Sequence, residues 1–123
     1  MNKVHTDNAP GAIGPYSQAI VHDGIVYASG QVGISPDGTR AHGIEAETRQ
    51  TLDNLSAVLE AAGASLQSTV KVNVYLQDMG DFQAVNGVYA EYFGTHRPAR
   101  ACVEVAGLPK GVLVEIDCTA IVS

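Results

Sequence analysis

The chain has 123 residues, 46% of them hydrophobic, which is one domain's length with enough apolar matter for a single core and too little for two. Its formal net charge is −6, with seven Lys and Arg scattered along it, so no basic face exists to displace counterions from a nucleic acid. No stretch approaches the roughly 18 apolar residues of a membrane span, the N-terminus carries no apolar leader, and Cys102 and Cys118 have no redox or metal spacing. These features predict a soluble cytoplasmic protein with reduced thiols, and a small anionic ligand would need a local cation to hold it.

The first predicted element is a hairpin over Ala19 to Ser29. Two apolar runs flank Asp23-Gly24, a pair suited to the positive φ of a tight turn. Ser35-Pro36-Asp37-Gly38 marks a further turn. From Ile44 to Ala62 the period becomes helical: Leu52, Leu55, Leu59 and Ala62 form the apolar stripe, with Glu45, Glu47, Arg49, Asp53 and Glu60 assigned to solvent. Gly63 is placed to stop the helix. Val70, Val72, Val74 and Leu76 alternate on one face of a strand, and Ser29-Gly30-Gln31 closes the earlier one.

Asp81 is a candidate cap for a second helix, with Phe82, Val85, Tyr89 and Tyr92 as its stripe and Gly94 at its end. Strands over Ala99–Val105 and Val112–Val122 follow, joined through Gly107-Leu108-Pro109-Lys110-Gly111. The order β-β-α-β-α-β-β is an α+β fold with a mixed sheet and two helices on one face. Two helices leave the other face bare, although the last strands are apolar on both sides in places. Self-association into a closed homo-oligomer with sites between subunits is the expected cover.

Arg100 shares a strand face with Cys102 and Glu104, in an apolar stretch where an unpaired guanidinium is costly. It is either half of an internal ion pair, a snorkelling surface residue, or a bidentate clamp for a carboxylate. Glu115 interrupts an apolar run and is either solvated or half-buried with a raised pKa suited to proton transfer. The two strands could be hairpin neighbours, so Arg100 and Glu115 could pair or could bracket a small acid. Tyr16 and Ser17 follow the loop signal Gly14-Pro15, and neither Ser17 nor Ser29 sits in a nucleophile elbow. The four histidines lack ligand spacing, so no metal site is expected. Asn86 could cap, pack or face a groove, and Cys102 beside Arg100 is either a thiol of lowered pKa or, as buried cysteines usually are, a small hydrophobe.

Several segments together carry a resemblance: Gly14-Pro15-Tyr16-Ser17-Gln18-Ala19, Ala28-Ser29-Gly30-Gln31, Thr51-Leu52-Asp53-Asn54-Leu55, Val85-Asn86, Pro98-Ala99-Arg100-Ala101-Cys102-Val103-Glu104-Val105, Leu108-Pro109-Lys110 and Val114-Glu115-Ile116. Nearly end to end, the chain resembles the reactive intermediate deaminase family, also labelled translation-inhibitor or endoribonuclease-like proteins. The resemblance implies a chorismate-mutase-like fold and a homotrimer with active sites at subunit interfaces. It further implies hydrolysis of short 2-imino acids, such as 2-iminobutanoate and 2-iminopropanoate, to 2-oxo acids and ammonia without a cofactor. By position, Arg100 corresponds to the carboxylate-binding arginine and Glu115 to the water-positioning acid, while Tyr16, Ser29, Gly30, Asn86 and Cys102 fall where the family lines its pocket. The segment Gly94-Thr95-His96-Arg97 looks shorter than in many relatives, which bears on the pocket rim. Alternatives are a deaminase for aminoacrylate or 2-aminomuconate, an RNA-cleaving protein, and a 2-oxo-acid sensor or holdase chaperone.

Overall fold

The structure is a computed structural model and describes residues 1–123. Its strands are β1 (Asn2–Val4), β2 (Ala19–His22), β3 (Ile25–Val32), β4 (Thr69–Leu76), β5 (Ala99–Glu104) and β6 (Val114–Ile121); its helices are α1 (Ile44–Ala61) and α2 (Phe82–Phe93). The expected order therefore stands, with one strand added at the front. β1 has only three residues, and what makes it a strand is its pairing of Asn2, Lys3 and Val4 with Val21, Ile20 and Ala19. A three-residue run with a single apolar member, Val4, is too short to carry such a signal in the sequence.

The six strands lie in the order β1-β2-β3-β6-β4-β5. β4 and β5 run parallel and every other neighbouring pair is antiparallel. β5 and β6 are not hairpin neighbours, contrary to the expectation. The chain leaves β5 at the sheet edge, and β6 inserts between β3 and β4, where both of its backbone edges are paired.

Local chemistry explains most boundaries. Asp23 (φ 52°) and Gly24 (φ 77°) make the tight turn between β2 and β3. Gly63 (φ 84°) follows the last turn of α1, and Gly94 (φ 63°) ends α2. Asp81 does not cap α2 with its side chain; Asp78 instead accepts the Gly80 N–H at 2.8 Å and caps the short turn leading into the helix.

Both helices pack on one sheet face. Leu52, Leu55, Val58 and Leu59 of α1 and Val85, Val88, Tyr89 and Phe93 of α2 join Val72, Val74, Leu76, Val114, Ile116 and Cys118 in one core. Val70 departs from its predicted face and is exposed, because a register shift between Thr69 and Lys71 turns Thr69 inward in its place. Glu47 also departs from its predicted side: it is buried, its Oε1 accepting the Leu113 N–H at 2.9 Å and its Oε2 lying 4.0 Å from Arg40. The opposite sheet face has no helix over it and presents Tyr27, Val103 and Ile121, each close to half exposed.

Candidate active site

The strand register decides where the predicted residues go. Residues directly opposed on neighbouring strands share a face, and Val72 of β4 opposes both Arg100 of β5 and Cys118 of β6. Val72 and Cys118 are buried beneath the helices, so Arg100 points to the helical side. Three residues further along β4, Tyr75 opposes both Val103 and Glu115. An odd step along a strand reverses the face, so Glu115 stands on the open side. Within one chain, then, the sheet itself separates Arg100 from Glu115, and the idea that they pair with each other falls.

On the helical side, α2 presents Phe82, Asn86 and Tyr89, at successive helical steps, to the edge strand. The Arg100 guanidinium lies 4.8 Å from the Tyr89 ring centroid and 5.6 Å from that of Phe82. Its Nη1 donates to Asn86 Oδ1 at 2.8 Å. No carboxylate forms an ion pair with it. Asn86, Tyr89, Arg97 and Arg100 line a recess of about 560 Å³. Tyr89 and Phe82 belong only to the apolar stripe in a sequence reading; their packing under a guanidinium requires the edge strand to be in place.

On the open side, Tyr16, Gly30, Lys110 and Glu115 line a smaller groove of about 130 Å³. Burial, and next the nearby Asp117 charge, push the Glu115 carboxyl above its ordinary pKa. Asp117 itself accepts from Asn73 Nδ2 and Tyr75 Oη, each at 2.9 Å. β3 ends at Val32, one residue past the expected Ser29-Gly30-Gln31 close, and between Ala28 and Gln31 it carries one residue more than β6. That bulge sets Gly30 against Glu115, where a Cβ would meet the carboxylate oxygen at 2.7 Å, so a side chain at position 30 would occupy the carboxylate's place. Ser29 Oγ is engaged, donating to the Ser17 carbonyl at 2.6 Å. Buried Gln18 accepts the Thr6 N–H and donates to the Thr6 and Pro10 carbonyls, tying down the segment that leads to Tyr16.

The predicted residues thus divide. Tyr16, Gly30 and Glu115 meet in one groove, and Asn86 and Arg100 meet in the other recess. Cys102 shares the side of Arg100 and packs against the core. Burial raises its thiol pKa and the Arg100 charge only partly opposes this, which favours the small-hydrophobe reading over that of a lowered value. Cys118 is pushed up to about 12 by burial, and both cysteines are free thiols. In the short segment before Pro98, His96 Nε2 bonds the Thr69 carbonyl at 2.6 Å, which braces the rim.

Residues 6–122 match the family model described as Endoribonuclease L-PSP. A RutC family protein of Pyrococcus horikoshii is 53% identical over 119 residues, covering 95% of this chain and 94% of that one. The human 2-iminobutanoate/2-iminopropanoate deaminase is 45% identical over 120 residues, covering 96% and 88%. Among solved structures, E. coli TdcF with bound serine superposes with a TM-score of 0.96 at 38% identity over the whole of both chains. A mixed sheet with two helices on one face, matched across 117 residues and at this level of identity, makes the chain a member of the Endoribonuclease L-PSP family, the group that also carries the RutC and Rid names.

Proposed function

We propose that this protein is a hydrolytic deaminase of short 2-imino acids and their enamine tautomers, acting as a homotrimer with its sites between subunits. The observation that carries the reading is Arg100: a guanidinium held between two aromatic rings, bonded on one side to an amide oxygen, and without a carboxylate of its own. A fork so placed has N–H donors left for a planar anion, and a 2-imino acid always has one beside its reacting carbon. The human relative's name gives the same substrate class, and the E. coli neighbour was solved holding a small amino acid.

The oligomer follows from the faces. Arg100 and Glu115 serve one substrate only if the helical-side recess of one subunit abuts the open-side groove of the next. Arg100 then anchors the carboxylate and fixes the imine carbon. Glu115 takes a proton from water as its oxygen bonds to that carbon, giving a tetrahedral carbinolamine. Glu115 then returns that proton to the nitrogen, the C–N bond breaks as the carbinolamine hydroxyl gives its own proton to the freed carboxylate, which releases it to solvent, and the 2-oxo acid and ammonia leave. The balance is one water consumed for one ammonia released, with no electrons exchanged. A protonated imine is electrophilic enough for this without a covalent enzyme intermediate. Tyr16 lines the same groove as Glu115, and Gly30 leaves the carboxylate its space.

The test is a coupled assay in which a dehydratase makes 2-iminobutanoate from threonine. Arg100→Ala should lose roughly 10- to 150-fold in kcat/KM, the loss of one charge-assisted pair of about 1.5–3 kcal/mol. Turnover equal to the parent would remove Arg100 from the mechanism. The family description points also to RNA cleavage, but a net charge of −6 opposes the phosphate neutralisation on which RNA binding depends.

A further inference from the structure

We propose that the recess under Arg100 holds two anionic groups, so that the chain favours short dicarboxylic 2-imino acids, with Arg97 taking the distal carboxylate. This rests on the reading of Arg100 as the clamp for the carboxylate beside the imine.

Three observations carry it. The chain has a net charge of −6, yet the only charged side chains lining this recess are Arg97 and Arg100. Neither forms an ion pair. A protein with an excess of carboxylates that leaves two cations together without one has reserved them for something outside the chain. Next, Tyr89 forms part of the same lining, and its hydroxyl is the one buried side-chain polar atom that lacks a hydrogen-bond partner. Such a group is rare, and a phenol beside two guanidiniums is suited to donate to an anion. Third, the spacing is rigid. Pro98 stands between the two arginines, restricting its own φ and biasing Arg97 to extended backbone, so the Arg97 and Arg100 Cα atoms lie up to about 10 Å apart. Two long side chains rooted within that distance on one recess can each meet one end of a short diacid, whereas a single carboxylate needs only one of them.

The experiment is calorimetric titration of the purified full chain with 2-oxobutanoate and with 2-oxoglutarate, stable counterparts of the mono- and dicarboxylic imines. 2-Oxoglutarate should bind roughly three- to tenfold more tightly, the scale of one additional partly exposed ion pair. The whole-molecule charge repels the dianion more than the monoanion, so a margin in its favour has a local source. Arg97→Gln, at an exposed position, should erase that margin and leave 2-oxobutanoate binding unchanged, while Arg100→Gln should weaken both ligands. Equal affinities in the parent, or a margin that survives Arg97→Gln, would overturn the proposal. If 2-oxobutanoate binds through Arg100 and 2-oxoglutarate gains nothing, the two-anion site falls alone. If neither acid binds, the carboxylate-clamp reading falls with it.

Discussion

Glu115 shows how much one residue's neighbours decide. A solvated glutamate is ionised well below neutral pH and is a weak base there. Partial burial and the charge of Asp117, two residues along the same face, raise its pKa toward the range where a general base is effective. If Glu115 accepts the proton of the attacking water, its protonation sets the acidic limb of kcat/KM, and that limb is displaced upward from where a solvated glutamate titrates. Asp117→Asn removes the like charge, keeps one oxygen to accept from Asn73, and turns an N–H toward the Tyr75 hydroxyl, which can accept it. The limb should then move to lower pH, because loss of a nearby anion eases ionisation of Glu115. A pH–rate profile with an unmoved limb would assign the titration to another group. The types of Arg100 and Glu115 were legible in the sequence because a charge inside an apolar run stands out. Their faces were not, because parity along a strand says nothing about which neighbour that strand pairs with.

At the scale of elements, Glu47 and Arg40 act as a latch between α1 and the connection into β6. Glu47 accepts from the Leu113 N–H, and Arg40 donates to the carbonyls of Lys110 and Gly111 at 2.9 and 2.8 Å. Lys110 and Pro109 border the groove of Glu115, so this latch helps shape that open-side groove. Gly33 belongs to the same contact: a Cβ there would lie 2.7 Å from the Glu47 Cα, so β3 and α1 approach as closely as backbone allows. Glu47→Ala leaves the part-buried Leu113 N–H without an acceptor and takes away the carboxylate 4.0 Å from Arg40, which keeps its two carbonyl partners. It should lower unfolding free energy by about 1–3 kcal/mol in urea denaturation at an unchanged m-value. A loss under half a kcal/mol would mean that water or rearrangement replaces the carboxylate. Helical periodicity located α1 to within a residue but put Glu47 on its wet side, since period alone cannot see a loop returning over the first turn.

For the whole molecule, the bare sheet face is the governing feature. It mixes Tyr27, Val32, Val103 and Ile121 with Asn73, Tyr75, Glu115 and Asp117, a blend of apolar and polar groups suited to an interface that must also hold a site. Sedimentation should give three times the chain mass. Val103→Lys, which sets a charge on that face without touching the helical core, should release monomers and abolish turnover together. A stable monomer with full activity would refute the shared-site arrangement.

The sequence by itself determined the two helices, the tight turn at Asp23-Gly24, five of the six strands, the stops at Gly63 and Gly94, and the residue types able to bind an acid and move a proton. Each of these depends on interactions within a few residues, where hydrophobic period and backbone preference act directly. Tertiary structure alone decided that β6 enters between β3 and β4, that the Gly30 bulge clears space for Glu115, that Tyr89 and Phe82 flank Arg100, and that Arg100 and Glu115 stand on opposite sides of the sheet. Those outcomes depend on pairing between segments far apart in the chain, and pairing register, unlike local period, is written in no single stretch of residues.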